Sequence, residues 1–340
     1  MDPFATRPLG PTGARLTRLG FGGAPLGELH AKLPEDTAQS VIETAFAAGV
    51  RYFDTSPWYG HGLSEHRLGR YLRGQRRQSY VISTKVGRVY SGDNDPGGVD
   101  VSPWAGGLPF IPRFDYGYDG VMRSYEDSLQ RLGLARVDLL LIHDLDRLYH
   151  NPEETLEARM GELEGGGMKA LEELKSAGRI AGIGAGINQM GMIPRLLARF
   201  DIDFFLVAMP YTLLDQEPLE EEFPRLAEKG AGIVIGSPFA SGILATGAVE
   251  GAFYNYVPAP PEILEKVGRI EAVCQRHDVP LAAAALQFPL GHGCVAAVIP
   301  GAVTPDEVLG SVEMMAIDIP AALWDELKAE GLLRADAPVP

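Results

Sequence analysis

A closed barrel of eight parallel strands with alternating helices is the fold this sequence predicts, and three observations predict it. Short apolar or β-branched runs recur eight times, segments of helical period separate most of them, and several runs are apolar throughout. Unbroken apolar runs mark strands buried on both faces, and strand–helix alternation gives parallel pairing. A doubly wound open sheet is the alternative allowed by the same alternation. The length of 340 residues suits one barrel over residues 1–340.

The elements follow in order. Arg7–Leu9 and Ala14–Leu16 flank Gly10-Pro11-Thr12-Gly13 and read as an N-terminal β-hairpin. The barrel strands are expected at Leu19–Gly22, Arg51–Asp54, Tyr80–Thr84 and Val137–Ile142, then Ile180–Gly184, Phe204–Val207, Gly232–Ile235 and Val295–Ile299. Pro34-Glu35-Asp36 opens a helix with Ala38, Val41, Ile42, Ala45 and Phe46 on one face, and Gly49 stops it. Asp119–Gly133 carries a stripe of Val121, Met122, Tyr125, Leu129 and Leu132, and Lys169–Ala177 stops at Gly178. After the third strand, residues 88–118 form a long loop rich in Gly, Pro and Asp, leaving the strand end where barrel active sites are built. The closing Gly331–Pro340 reads as a loose tail.

Composition narrows the function. A formal net charge of −15 repels phosphate backbones, which disfavours a nucleic-acid partner. The basic run Arg70, Arg73, Arg76, Arg77 reads as a solvated helix end. No run approaches the roughly 20 apolar residues of a membrane span, and no secretory signal is read at the N-terminus. Cys274 and Cys294 suit a reducing cytoplasm, and the histidines show no ligand-like spacing, so no metal is expected.

Four polar residues sit at or just beyond strand ends. Asp54 ends the second strand, Tyr59 follows it, Lys85 ends the third and His143 the fourth. In a barrel all four face one mouth. Taken singly, each is more often an ion pair, a cap or a satisfied core group than a catalyst. Together they suit proton transfer. A phenol titrates near ~10, and an adjacent ammonium favours the phenolate. Lys85 supplies that charge if Asp54 holds it, and His143 can orient a substrate oxygen. Such an array suits carbonyl–alcohol interconversion, and since no side chain carries hydride a nicotinamide is implied.

At these residues the sequence resembles the aldo-keto reductase superfamily, over nearly its whole length. The matching segments are Leu19-Gly20-Phe21-Gly22, Phe53-Asp54-Thr55-Ser56-Pro57-Trp58-Tyr59-Gly60, Ser64-Glu65, Leu68-Gly69, Thr84-Lys85 and Ile142-His143. The resemblance implies a catalytic tetrad of Asp54, Tyr59, Lys85 and His143. It places Gly22 on the cofactor side and Asn188 on the nicotinamide carboxamide, with Ala208 where the family usually has glutamine. Tyr211 matches the aromatic that stacks on the nicotinamide ring, or else is a core tyrosine. Ser237, Phe239, Ser241, Gly242 and Leu244 resemble the loop around the pyrophosphate. Pro300, Gly301, Glu307 and Ser311 fall in the region that reads the adenosine end. Users of the phosphorylated cofactor place Lys at the Gly301 position and Arg at the Glu307 position. Neither charge is present, which favours NAD over NADP, and hence oxidation. Glu307 read without the resemblance is a solvated helix residue.

Within the superfamily the segments Phe114-Asp115-Tyr116, Ile142-His143-Asp144 and Tyr211-Thr212-Leu213-Leu214-Asp215-Gln216 resemble aldose dehydrogenases acting on L-fucose, D-arabinose or L-galactose, and pyridoxal 4-dehydrogenases. Either substrate loses hydride from a cyclic hemiacetal to give a lactone. Trp58 is expected to pack on the substrate or to wall the mouth. Asp144 either binds a substrate hydroxyl or caps its turn. A reading from another class, a nucleotide-binding partner subunit without turnover, is opposed by the intact tetrad. Oligomeric state is not readable from the chain.

Overall fold

The computed structural model describes every residue except His30, Met209, Pro210 and Tyr256. Eight parallel strands, hydrogen-bonded in sequence order, form its centre. They are β1 Phe21–Gly22, β2 Tyr52–Asp54, β3 Val81–Val86, β4 Leu139–His143, β5 Gly182–Ile187, β6 Phe204–Ala208, β7 Gly232–Gly236 and β8 Val295–Ile299. Leu19 bridges Val298 in parallel, and the Gly22 N–H donates to Pro300 O at 3.0 Å, so the first and last strands meet. The ring closes into a barrel, as expected.

The expected strands are all present, but several boundaries move. β3 runs on to Val86 because Lys85 pairs with Leu141 and Val86 with Ile142 of β4. β5 starts at Gly182, opposite Leu139 at the start of β4, and ends at Ile187, opposite Val207 of β6. Cross-strand partners, which local sequence does not name, decide where a ladder stops.

Residues two apart on each strand share a face. Tyr52, Leu139, Leu141, Phe204, Leu206, Val234 and Ile299 form one buried cluster inside the barrel, together with Leu9 and Leu16 of the N-terminal hairpin. That hairpin, Thr6–Pro8 paired antiparallel with Arg15–Thr17, plugs the N-terminal end. A Cβ on Gly10 would stand 2.6 Å from the Gly232 nitrogen, so only glycine lets the turn approach this closely.

The larger cluster lies between the sheet and its helices. The first helix, α1 (Glu35–Ala48), buries Ala38, Val41, Ile42 and Ala45 and ends at Gly49 with φ 117°. Helices α2 (Leu63–Leu72) and α3 (Tyr118–Leu132) cross tightly. A Cβ on Gly69 would lie 2.3 Å from the Leu132 carbonyl oxygen. No helix among the described residues is long and apolar enough to cross a membrane.

Two expectations change. The loop after β3 is ordered around a second hairpin, Arg88–Ser91 paired with Ile111–Phe114, and carries the buried Trp104 against Leu29. The closing segment is no loose tail. Leu332, Leu333 and Ala337 are buried, and the Arg334 N–H donates to Gln216 Oε1 at 3.3 Å. Apolar side chains at the end of a chain remain free only if no groove receives them, and here one does. Leu333→Ala is therefore expected to lower unfolding free energy by about 2–4 kcal/mol, read from a denaturant midpoint at unchanged slope; a loss near zero would mean the segment does not pack in solution.

Candidate active site

The inward positions at the C-terminal ends of the strands form a layer with two halves. Register places Asp54 beside Ser83, Lys85 beside Leu141, His143 beside Gly186 and Ala208 beside Gly236. Strands β2 to β4 thus contribute Asp54, Lys85 and His143, whereas β5 to β7 contribute Gly186, Ala208 and Gly236. One half is ionic and the other is nearly devoid of side chains.

Lys85 organises the ionic half. Its Nζ donates to Asp54 Oδ2 at 2.6 Å, to the Thr55 carbonyl at 2.8 Å and to the Tyr59 hydroxyl at 3.1 Å. An ammonium has three protons, so all are placed, and the Tyr59 oxygen is the acceptor of one. Ser83 Oγ donates to Asp54 Oδ1 at 2.7 Å and is itself paired with the Tyr52 hydroxyl at 3.0 Å. Burial pushes the Asp54 carboxyl up, against the opposing pull of Lys85 and Ser83. The four expected residues converge: the Tyr59 and His143 rings lie edge to face, 5.9 Å between centroids.

The segment Ser56–Gly60 that presents Tyr59 is braced from below. Ser64 Oγ donates to the Gly23 carbonyl at 2.7 Å and pairs with Thr55 Oγ1 at 2.9 Å. Thr84 Oγ1 donates to Glu65 Oε1 at 2.6 Å, and Arg131 Nε to Glu65 Oε2 at 2.5 Å. The Ser64-Glu65 pair thus ties α2 to the site strands and to α3. A Cβ on Gly27 would lie 2.4 Å from the Tyr59 carbonyl carbon, so that glycine lets the preceding loop support Tyr59 from directly behind.

Sequence reading missed Arg88. Its guanidinium is buried, with Trp58, Phe114 and Tyr149 ring centroids at 4.7, 4.4 and 4.9 Å. It pairs with Asp144 Oδ2 at 2.9 Å and reaches His143 Nδ1 at 3.2 Å. Ser56, also missed, lies 2.9 Å from the same nitrogen. The available signal was the alternation Arg88-Val89-Tyr90 continuing a strand, hidden by the loop-like composition that follows. Burial and the Arg88 and Lys85 cations hold the His143 imidazole well below its ordinary value, so it is neutral.

Asp144 is ion-paired with Arg88 and held by the Asn188 amide. Asn188 Nδ2 donates to Asp144 Oδ1 at 2.9 Å and to Asp146 Oδ2 at 3.1 Å. Trp58 is half-buried with its ring 5.7 Å from Trp104, whose own ring lies 5.8 Å from Tyr59, so these aromatics wall the mouth.

On the side without side chains the residues fit a nicotinamide dinucleotide. A Cβ on Gly186 would lie 3.6 Å from His143 Cδ2 and 3.7 Å from Lys85 Cε, so this bare position borders the two site residues directly. Beyond β7, Ser237, Ala240 and Ser241 hold φ of 54°, 48° and 62°, a left-handed backbone that costs a non-glycine residue roughly 1 kcal/mol or more. Gly242 follows at φ 100°, with Phe239 and Leu244 tied into the same turn by the Leu244 N–H on the Phe239 carbonyl. Strain of this kind persists where a binding loop must turn sharply. Gly22 meets Pro300 through its own N–H, and Gly301 and Ser311 border a small cleft beside it. Glu307 Oε2 accepts from the Val303 N–H at 2.7 Å while Thr304 Oγ1 accepts from the Glu307 N–H at 3.2 Å, a capping arrangement that fixes this acid at the helix start.

Of the two places expected for Tyr211, the structure shows the core one. It is fully buried in the outer layer against Phe223 and Phe288, ring centroids at 4.6 and 5.3 Å, and burial raises its phenol. It lies beyond the end of β6, behind the sheet, and stacks on core rings.

A model of the aldo/keto reductase family matches residues 18–330. The chain belongs to that family. Pyridoxal 4-dehydrogenase of Microbacterium luteolum is 41% identical over 96% of this chain and 97% of its own length. D-threo-aldose 1-dehydrogenase of a Pseudomonas species is 38% identical over 94% and 96%. The solved aldo-keto reductase AKR11C1 of Bacillus halodurans, in its holo form, superposes with a TM-score of 0.74 at 26% identity, covering 98% of each chain. This aldo-keto reductase is accordingly a nicotinamide-dependent oxidoreductase acting on a small molecule.

The site also makes stability depend on pH. Burial lowers His150 from 6.5 to about 4, and its Nε2 lies 3.0 Å from the Tyr116 hydroxyl, which donates to the His143 carbonyl at 2.7 Å. Both histidines are depressed in the folded state, so below pH ~6.5 the unfolded chain binds protons that the folded chain refuses. Stability is expected to fall as pH drops from about 6.5 toward about 4. Denaturant titrations across that window should show a shallower fall in His150→Gln; an identical slope would remove His150 from the account.

Proposed function

We propose that this enzyme oxidises the anomeric carbon of an aldose of the L-fucose, D-arabinose or L-galactose type to the lactone, with NAD preferred over NADP. The observation that carries the reading is the Lys85 ammonium shared between Asp54 and the Tyr59 oxygen inside a buried mouth. Lys85 stabilises negative charge on the Tyr59 oxygen, which takes the proton of the anomeric hydroxyl as the C–O bond becomes a carbonyl. His143 Nε2 donates a hydrogen bond to that substrate oxygen and fixes its position. A bound oxidised nicotinamide would supply the hydride acceptor for that carbon. Asn188 would hold its carboxamide, Ser237–Leu244 its pyrophosphate, and Gly301 to Ser311 its adenosine end.

Pyridoxal is the second reading, supported by the 41% identical relative named for it. Its internal hemiacetal presents the same carbon, hydroxyl and ring oxygen, so the chemistry of Tyr59 is unchanged and only the wall residues discriminate. NADH absorbance with a panel of aldoses and pyridoxal is the test. Tyr59→Phe is expected to lower the best turnover by roughly 10²–10⁴-fold, and equal rates for mutant and wild type would end the Tyr59 mechanism.

The preference for NAD rests on charge. Gly301 and Glu307 leave no cation for a 2′-phosphate, and the capped Glu307 cannot swing away without exposing the Val303 N–H. Glu307→Arg should tighten NADP by roughly tenfold or more while weakening NAD little. Fluorescence titrations of both cofactors read this directly, and a mutant still favouring NAD to the wild-type degree would refute it.

A further inference from the structure

The imidazole of His143 is held on one edge entirely by donors. Its Nδ1 lies 3.2 Å from Arg88 Nη1 and 2.9 Å from Ser56 Oγ. A guanidinium carries only N–H groups and stays protonated, so a nitrogen facing it must accept. Ser56 fits the same direction, because its oxygen already accepts from the Trp58 N–H at 3.0 Å, which leaves its own hydrogen for Nδ1. With Nδ1 accepting, a neutral ring carries its proton on Nε2.

Arg88 can do this because it is itself fixed. Three rings surround its guanidinium, and its second terminal nitrogen is ion-paired with Asp144 Oδ2. Asp144 is in turn held through Oδ1 by Asn188, whose amide also reaches Asp146. A planar fork can grip a carboxylate and an imidazole at once, whereas a lysine would present a single point charge. The charged and titratable groups facing the ring are few. Arg88 and Lys85 repel a second proton, and the Tyr59 ring stands edge-on. Asp144 Oδ2, 3.4 Å from Nε2, is already paired with Arg88.

We propose that Arg88 is a positioning residue that fixes His143 as the neutral imidazole with its proton on Nε2, so that His143 always meets the substrate oxygen as a hydrogen-bond donor. The proposal rests on His143 facing that oxygen, as in the proposed function, but the tautomer itself does not. It also makes the Asp144-Asn188 contact part of one connected network: with both Nδ2 hydrogens engaged, Asn188 offers the cofactor only its Oδ1.

The test is long-range proton–nitrogen NMR on the full-length enzyme labelled with ¹⁵N-histidine, without substrate, His143 being assigned by its absence in His143→Gln. The wild type is expected to show a neutral Nε2–H ring from about pH 8 down to about 5.5. In Arg88→Met the ring should titrate within roughly pH 5–8, and kcat/KM should gain an acid limb at that same value. Its kcat should fall by about tenfold or more; Arg88→Lys, which keeps a donor-only cation facing Nδ1, should retain the Nε2–H ring and restore part of the wild-type pH profile. A wild-type ring protonated on Nδ1, or an Arg88→Met ring and pH profile like the wild type, overturns the proposal. If Arg88→Met does not fold, the wild-type tautomer still decides, and Ser56→Ala tests the weaker donor alone. A correct tautomer in an enzyme for which His143→Gln retains full activity would sink the role given to His143 while leaving the lock standing.

Discussion

An ammonium excluded from water persists only where each of its protons is placed and its charge is answered. Lys85, 1% exposed, meets that condition through Asp54, the Thr55 carbonyl and the Tyr59 hydroxyl. The rest of the barrel mouth can be derived from this one requirement. Asp54 must end β2 beside Ser83 for its carboxylate to face Nζ, which fixes the β2–β3 register. Tyr59 must return over the strand end, which needs a tight turn, and Gly27 and Gly60 supply the close backbone approach behind it. The buried Glu65, held by Arg131 and Thr84, keeps α2 at the distance this turn requires. Removing one partner would leave a buried charge unanswered, and so structure and proposed chemistry share the same three contacts.

The division of the upper layer into an ionic half and a bare half follows from the same logic. Charges on adjacent strands answer one another, and so β2, β3 and β4 carry them together. A charge on β5, β6 or β7 would have no partner and would fill the space that a flat aromatic ring requires. Gly186, Ala208 and Gly236 are therefore as much part of the site as Lys85, although none has a functional group. The strained backbone after β7 extends this half outward.

Much of this was legible because the barrel rule converts strand ends into neighbours. Asp54, Lys85 and His143 each close an apolar run, and Tyr59 follows one, so their convergence needed only the fold. Tyr211 was left between two places for the complementary reason. A tyrosine beyond a strand end can turn into the mouth or back onto the helices, and sequence matching does not say which; Phe223 and Phe288, distant in sequence, draw it outward. Arg88 was missed because its pairing strand, Ile111–Phe114, lies beyond a Gly- and Pro-rich stretch that reads as loop. The closing segment was misjudged because its groove is built from residues such as Gln216, more than a hundred positions earlier.

Asp144 shows how a neighbourhood can be read without its partners. Its place beside His143 left two roles open, a substrate-hydroxyl contact or a turn cap. Here the cation that claims it comes from β3's extension, and the amide that completes it comes from the end of β5. A carboxylate held from two sides is poorly suited to following a substrate, but well suited to keeping a guanidinium still. In the proposed reaction, discrimination between an aldose and pyridoxal would then fall to the walls of the mouth, where Trp58 is half-buried and Trp104 is buried beside it, since the two hemiacetals are alike at their reacting carbons.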